Sequence, residues 1–173
     1  MFDEALERYN YKQTRADRKI ENYYEKIRNS KQEKPFHELI LQIGDKENMS
    51  AESENGELAR QILDEYYSGF QERNPNLKVF SAHLHMDEAT PHLHIDFVPF
   101  TTGSKRGLDT RVSLKQALDK QAEEMLFRLV NQIAEREGVT EQLKADNQME
   151  WVARMNNIRS RATEVVNTDL IYT

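Results

Sequence analysis

The sequence predicts an α+β fold in which long helices cover a small, mostly antiparallel β-sheet. Three observations lead to this prediction. Long segments without glycine or proline are rich in helix-forming residues. Shorter segments alternate apolar and polar residues, as half-buried strands do. Two of these strand-like segments are joined by a short turn, which favours antiparallel pairing, and helices must then cover the apolar face of the sheet.

The predicted elements follow one another as helix, strand, helix, strand, strand, helix and helix. Residues 2–29 contain neither glycine nor proline and are expected to form one long helix. Residues 36–43 alternate as a strand does. A second helix is expected over about 51–73, with Ser50 or Ser53 as its N-cap. Its apolar side chains recur every four positions, at Leu58, Ile62, Tyr66 and Phe70.

Two more strands, a polar loop and a helical region complete the predicted order. Three strands in all are visible, which is few for a self-sufficient sheet. The expected bounds are residues 78–85 and 92–98 for the strands, 86–91 for the turn between them, 101–111 for the loop, and helix beyond Ser113 with a break at Glu137-Gly138.

The chain has the size of one domain. Its 173 residues can bury a core, and we expect a single domain, 1–173, in which about residues 138–173 form a helical extension. Cysteine is absent, which excludes disulfides and thiolate metal ligands. No apolar run approaches the roughly 18 residues that a membrane span needs, so a cytoplasmic protein is expected. The net charge of −6 argues mildly against nucleic-acid binding.

Four of the five histidines lie within twelve residues, on two consecutive predicted strands. Residues two apart in a strand share a face. His83 and His85 therefore share one face of the first strand, and His92 and His94 share one face of the second. If the two strands pair so that their apolar side chains lie on the same side of the sheet, the four imidazoles converge on the other, polar side. The apolar sides are Phe80, Ala82 and Leu84 in the first strand and Leu93, Ile95 and Phe97 in the second.

This histidine cluster predicts a metal site, because two strands that supply three imidazoles near one point suit a facial metal centre. Asp87 and Glu88, in the turn, are expected to orient a ligand or to act as acid or base, with Glu88 the stronger candidate. Both are also typical of solvated turn carboxylates. An all-imidazole site suits polarising a phosphate oxygen. Mn²⁺, Mg²⁺ and Zn²⁺ all fit, and phosphate chemistry favours Mn²⁺ or Mg²⁺.

The segment from His85 to His94, HMDEATPHLH, resembles the H-x-D-E-x-T-P-H-x-H motif of the Mob/Pre plasmid mobilisation and recombination proteins. Its His92-Leu93-His94 resembles the His-hydrophobic-His pair of the HUH endonucleases. The helix and strand from Tyr66 to Ala82 and the strand that ends in Val98-Pro99-Phe100 are similar to the family as well.

The resemblance implies an HUH-relaxase-like fold and an enzyme that nicks single-stranded DNA at an origin of transfer. Such an enzyme uses a divalent metal to hold the scissile phosphate, and a His or Tyr side chain attacks to form a covalent DNA–protein link. By position in the motif, His85, His92 and His94 become the metal ligands and Glu88 the acidic helper. His83 has no counterpart in the motif; it is interpreted as an outer-sphere or DNA-contacting residue, or as an incidental surface histidine.

The nucleophile is the least defined part of the predicted site. The family carries it on a strand before the basic N-terminal helix, and here that segment is expected to be missing. Four tyrosines near the N-terminus are weak candidates, because a phenol can attack phosphate when activated, although helical tyrosines usually serve packing. They are Tyr9, Tyr11, Tyr23 and Tyr24. His37 is expected on the apolar side of its strand, whereas Glu38 or Gln42 could reach the polar face.

Two basic segments are the candidates for DNA phosphate contacts, although charged runs are often only solvated faces. The first is Lys12, Arg15, Arg18 and Lys19 on the first predicted helix, and the second is Lys105, Arg106 and Arg111 in the loop after the histidines. Three functions stay open: a nicking relaxase, a non-nicking DNA- and metal-binding relative, and an unrelated small three-histidine metalloprotein. The C-terminal stretch around Trp151 is expected to be a packing helix or a homodimer contact.

Overall fold

The computed structural model describes residues 1–171, with side chains described through Thr168. The predicted α+β class is confirmed, because an antiparallel sheet of four strands is combined with seven α-helices over these residues. The strands are β1 (His37–Gln42), β2 (Leu77–His85), β3 (His92–Thr101) and β4 (Arg111–Val112). The helices are α1 (Asp3–Tyr11), α2 (Tyr23–Arg28), α3 (Glu54–Ser68), α4 (Phe70–Arg73), α5 (Leu114–Arg136), α6 (Glu141–Asp146) and α7 (Gln148–Ile171).

The long β3 strand is the centre of the sheet. It pairs antiparallel with β1 on one side and with β2 on the other, and its last residues also pair with β4. The prediction of three strands was therefore one short. The segment 101–111, predicted as a loop, contributes its last residue, Arg111, to β4. This strand was missed because two residues are too few to show an alternating pattern in the sequence.

The single N-terminal helix predicted over residues 2–29 is wrong. Helix α1 ends at Tyr11, a short 3-10 turn follows at Ala16–Arg18, and α2 begins at Tyr23. Two asparagines cause the break, because asparagine side chains compete for backbone partners. Asn10 bonds both the N–H and the C=O of Ile20, and Asn22 caps α2 by accepting two backbone N–H bonds.

One face of the sheet is covered by α3, α4 and the start of α5. The helix predicted over 51–73 begins later, at Glu54 after the N-cap Ser53, and divides at Gly69. Leu58 and Ile62, expected to pack, are 49% and 43% exposed. A four-residue repeat drifts around a helix of 3.6 residues per turn. The packed stripe is therefore Ala59, Leu63, Tyr66 and Phe70. The last three of these belong to one core with Leu93, Ile95 and Phe97 of β3.

The opposite face is covered at one end only. There Val98 and Phe100 of β3 pack against a second core, which is formed by the N-terminal helices and the segment before α5. The buried members of this second core are Phe2, Ala5, Ile20, Tyr23, Ile27, Leu108 and Val112. At the other end of the same face lie His92 and His94, beside the exposed Ile40. We call this end of the sheet, with His92 and His94, its open face.

A β-bulge interrupts the alternation in β2. Val79 pairs with Phe97 and Ser81 pairs with Asp96, so that Phe80 is the extra residue. The parity prediction placed Phe80 on the core side and is wrong, because the bulge shifts the pattern and leaves this ring 58% exposed. Beyond the bulge, Ala82 and Leu84 face the core as predicted, opposite Ile95 and Leu93.

The chain divides into two compact units, Met1–Ala117 and the residues from Leu118 onward. The second unit has its own core, and Trp151 packs against it. Helix α5 ends at Arg136, at the predicted break, and Gly138 adopts a positive φ of 67°. The single domain with an extension from about residue 138, and a homodimer contact, stay predictions. No helix within the described part of the chain is long and apolar enough to cross a membrane.

Candidate metal centre

Three histidine rings pack against one another on the open face of the sheet. The ring centres of His85 and His92 are 5.0 Å apart, those of His85 and His94 are 5.0 Å apart, and those of His92 and His94 are 5.1 Å apart. The strands dictate this arrangement, because β2 and β3 place His85 directly opposite His92. Imidazoles bound to one ion at about 2.0–2.1 Å have ring centres roughly 5 Å apart. The spacing therefore fits a shared metal ion.

His92 is oriented by the backbone of the turn that precedes it. Its Nδ1 lies 2.9 Å from the carbonyl oxygen of Thr90, and since a carbonyl only accepts, Nδ1 carries the proton. The Nε2 atom then keeps a free lone pair. Thr90 is buried, so this turn is held in place, and only 12% of the His92 side chain is exposed.

His94 is oriented by a carboxylate from the neighbouring strand. Its Nδ1 donates to Glu38 Oε1 at 2.6 Å. Glu38 reaches the polar face from β1, where its Cα partner is Asp96. A carboxylate that holds Nδ1–H fixes the tautomer and makes the opposite nitrogen a better ligand. The contact leaves Nε2 of His94 available, as the Thr90 carbonyl does for His92.

The turn between β2 and β3 brings both predicted carboxylates to the histidines. Asp87 Oδ1 lies 3.4 Å from His85 Nδ1, and Glu88 Oε2 lies 3.8 Å from His92 Nε2. Ligand atoms of His85, Glu88 and His92 all lie within 4.8 Å of one another, close enough to hold an ion. Glu88 is 65% exposed and Asp87 83% exposed. His94 is outside this tight set, although its ring centre lies 5.0 Å from that of His85 and 5.1 Å from that of His92.

The fourth histidine of the predicted cluster differs from the other three. His83 pairs with His94 across the strands and shares the polar face, as predicted, but its side chain is exposed. His37 lies on the packed side of β1, and its ring stacks on Phe97 with 6.2 Å between ring centres. Burial lowers the pKa of His37 from its ordinary value, with Lys34 nearby acting in the same direction.

The four N-terminal tyrosines are not brought to the histidines. Tyr23 is buried, and its hydroxyl accepts the N–H of Val112 at 3.0 Å. Val112 pairs with Phe100, which lies eight residues from His92 along β3, roughly 26 Å at ~3.3 Å per residue. Burial raises the pKa of Tyr23, which disfavours the attacking phenolate. Of the others, Tyr9 packs on the N-terminal core, Tyr11 is 93% exposed, and Tyr24 contacts Phe2 edge-on.

The two predicted basic segments lie together at the far end of β3. Arg8 of α1 holds Asp109 through two hydrogen bonds, at 2.8 and 2.9 Å, and thereby ties the N-terminal helix to the segment before β4. Lys12 follows the end of α1 and does not lie inside a long helix, and Arg15 pairs with Asp17. Arg18, Lys19, Lys105 and Arg106 are exposed, whereas Arg111 is half-buried and lines a cavity with Tyr23.

Sequence reasoning assigned the histidines and the turn carboxylates but gave Glu38 no role at the centre. The alternation of β1 did place Glu38 on the polar face. Which residue of β3 it would meet depends on the register between β1 and β3, two strands that are far apart in sequence. The Thr90 carbonyl left no signal at all, because a backbone oxygen is present at every position.

The fold and the site define an α+β protein that presents a histidine cluster on the open face of its sheet. A family model for plasmid recombination enzymes, the Mob/Pre family, matches residues 1–151, and the chain belongs to this family. The resemblance to the Mob/Pre family is thereby confirmed. Neither the curated proteins nor the solved structures compared with the chain gave a match.

The link between Arg8 and Asp109 predicts an unusual acid titration. The hydrogen bonds and charge of Arg8 lower the pKa of Asp109 to about 2. Because the folded pKa lies below the ordinary value, the contribution of this link to stability is present above about pH 4 and is lost as the pH falls through about 2. A carboxyl NMR titration should give a midpoint near 2 for Asp109.

The variant Arg8→Gln should return that midpoint toward the ordinary value of 3.8. Lys12→Gln is the matched control, because Lys12 acts on Asp109 through charge alone and more weakly. A wild-type midpoint near 3.8, or equal shifts in the two variants, would contradict the assignment.

Proposed function

We propose that this protein is a relaxase, which binds single-stranded origin-of-transfer DNA and nicks it by metal-assisted transesterification. The observation that carries the proposal is the mutual packing of three imidazoles, at 5.0–5.1 Å, on an exposed sheet face. Membership of the plasmid recombination enzymes supports a DNA substrate. An open face suits a polymer, whose scissile phosphate must reach the centre while the rest of the strand lies across the protein.

In this proposal His85, His92 and His94 hold a divalent ion. Because Nδ1 of His92 donates to Thr90 and Nδ1 of His94 donates to Glu38, the Nε2 atoms of both histidines are free to coordinate the ion. The bound ion, with Mn²⁺ or Mg²⁺ favoured for phosphate chemistry and Zn²⁺ also compatible, would neutralise charge on the scissile phosphate. His83 and Asp87 are assigned to the outer sphere, since each lies beside a ligand without sharing the packed set.

Glu88 is proposed as the acid or base of the reaction. Its carboxylate lies 3.8 Å from His92 Nε2, yet it is 65% exposed, so that an incoming group can reach it. In the nicking step, a bond forms between the nucleophile and phosphorus and one phosphoester bond breaks. Glu88 would take the proton of the nucleophile, and a water molecule would give a proton to the leaving oxygen. The phosphoester energy is then kept in the covalent link for rejoining.

The position of the tyrosines favours one alternative, a non-nicking module of the same family. The hydroxyl of Tyr23 accepts the N–H of Val112, and Val112 pairs with Phe100, eight residues along β3 from His92. Tyr9, Tyr11 and Tyr24 belong to the same N-terminal helices. The proposal therefore assigns the nucleophile to none of the four. A protein that holds the metal and the DNA without cutting would need only the histidines and the basic residues.

DNA binding is proposed to use the basic residues of both segments. Six of them are exposed, and the tie between Arg8 and Asp109 brings the two segments to one region. Contacts between these residues and DNA phosphates would hold the DNA on the sheet face that carries the histidines at the other end of β3. These residues are Lys12, Arg15, Arg18, Lys19, Lys105, Arg106 and Arg111, of which Arg111 is half-buried.

The hydrogen bond from His94 to Glu38 predicts an outer-sphere effect on metal affinity. Glu38→Gln should weaken Mn²⁺ binding, measured by isothermal titration calorimetry, by about 10- to 100-fold, because loss of an orienting carboxylate has that effect at metal centres. Asp96→Asn is the matched control, since it removes the same charge from the Cα partner of Glu38. Equal losses in the two variants would mean that charge alone, and not orientation, sets the affinity.

A nicking assay separates the enzyme from the non-nicking module. Supercoiled plasmid with a cognate origin is incubated with protein and Mn²⁺, and the products are separated with and without protease. The proposal expects relaxed plasmid that carries covalently bound protein, and loss of this product in His92→Ala. Metal-dependent binding of single-stranded DNA without any adduct would contradict the enzyme and support the module.

A further inference from the structure

Two phenylalanine rings form an exposed aromatic pair that is not part of any of the three cores formed by the described residues. Phe36 is 52% exposed and Phe80 is 58% exposed. Their ring centres are 5.8 Å apart at an interplanar angle of 89°, a favourable edge-to-face contact. Phe36 directly precedes β1 and Phe80 belongs to β2, so the two rings meet across the central strand β3.

The aromatic pair lies on the histidine face of the sheet. Phe36 is two residues before Glu38, which bonds His94, and residues two apart in an extended segment share a face. Continued by one residue, the β1 register sets Phe36 level with Val98. Four residues separate Val98 from His94 along β3, roughly 13 Å at ~3.3 Å per residue. The pair is thus a neighbour of the histidine cluster and not part of it.

The exposure of Phe80 is a product of the bulge in β2. Counted back from Ala82 and Leu84, the alternation of β2 would turn this ring into the core, but the bulge breaks that alternation and Val79 packs against the core instead. Bulges recur next to active sites, where they re-aim a side chain. Exposed apolar side chains that stand singly are common, but two rings that contact each other beside a candidate centre form a patch.

A basic side chain stands at the edge of the pair. Lys78 pairs with Val98 on the other side of the central strand, and it is exposed. An aromatic face beside a lysine is the combination with which proteins bind single-stranded nucleic acid: the ring stacks on a base and the ammonium contacts a phosphate. Stacking tolerates any base, because every base has a π-face.

We propose that Phe36 and Phe80 form a stacking platform for an unpaired DNA base near the phosphate held at the histidines, and that Lys78 contacts the adjoining phosphate. The inference rests on the proposed function, since it specifies which residues bind the same DNA strand next to the candidate metal centre. The platform positions the strand by stacking, and the basic residues beyond it, at the Phe100 end of β3, hold the phosphates that follow.

The test measures the binding of a fluorescein-labelled thymidine oligonucleotide by anisotropy, in EDTA, so that metal binding and nicking play no part. Phe80→Ala and Phe36→Ala should each weaken binding by about tenfold, the loss expected for one stacked base. Phe80→Trp should retain the affinity, whereas Phe80→Leu, equally apolar, should not. Phe127→Ala removes a ring that is 71% exposed on α5 and should leave the affinity unchanged.

A second probe isolates the base from the backbone. An abasic oligonucleotide of the same length keeps its phosphates, so wild-type protein should bind it more weakly, and Phe80→Ala should cause no further loss. Lys78→Gln should reduce the slope of log affinity against log salt by about one unit. Circular dichroism checks that each variant is folded.

The proposal is overturned if Phe80→Leu binds the thymidine oligonucleotide as well as wild type does. It is also overturned if Phe80→Ala converts a dimer into a monomer at unchanged DNA affinity, because the patch would then bind a second copy of the chain. If these variants bind normally and wild type still forms the nicking adduct, only the platform is wrong. If wild type binds no single-stranded DNA either in EDTA or with Mn²⁺, the platform and the proposed function fail together.

Discussion

The antiparallel pairing of β2 with β3 is the constraint on which the site depends. It sets His85 opposite His92, and the period of two along β3 then brings His94 to the same face. A slip of one residue would turn the imidazoles into the core and Leu93 and Ile95 out to solvent. Ile95 is fully buried, so burial of the other face holds the register. The same hydrophobic contacts that stabilise the sheet therefore position the histidines.

Strand β3 contributes side chains to two cores and to the open face of the sheet. Its residues Leu93, Ile95 and Phe97 pack in one core with α3 and α4, while Val98 and Phe100 of the opposite face pack on the N-terminal core. The histidines occupy the remainder of that face, where Glu38 approaches from β1. The central strand thus connects the candidate metal centre to the basic segments at its far end, and a DNA strand that followed the sheet would meet the aromatic pair between them.

The sequence predicted what depends on local alternation, and it failed where distant contacts decide. Alternation placed His83, His85, His92 and His94 on one face, because strands fix side-chain direction at a period of two. The resemblance to the family motif then singled out His85, His92 and His94 as expected ligands. The break after Tyr11 was missed, because it results from Asn10 bonding Ile20, a tertiary contact inside a segment with good helix propensity. The bulge at Phe80 has no signature in composition, and the role of Glu38 required the register of β1 on β3.

The central claim is that three imidazoles, and not two imidazoles and a carboxylate, hold the ion. A crystal grown with Mn²⁺ and measured near the manganese absorption edge would locate the metal by anomalous scattering. The account predicts one peak within about 2.0–2.2 Å of a ring nitrogen of each of His85, His92 and His94, with Nδ1 of His94 still on Glu38. A peak bound by His85, His92 and Glu88 that leaves His94 unbound would contradict it.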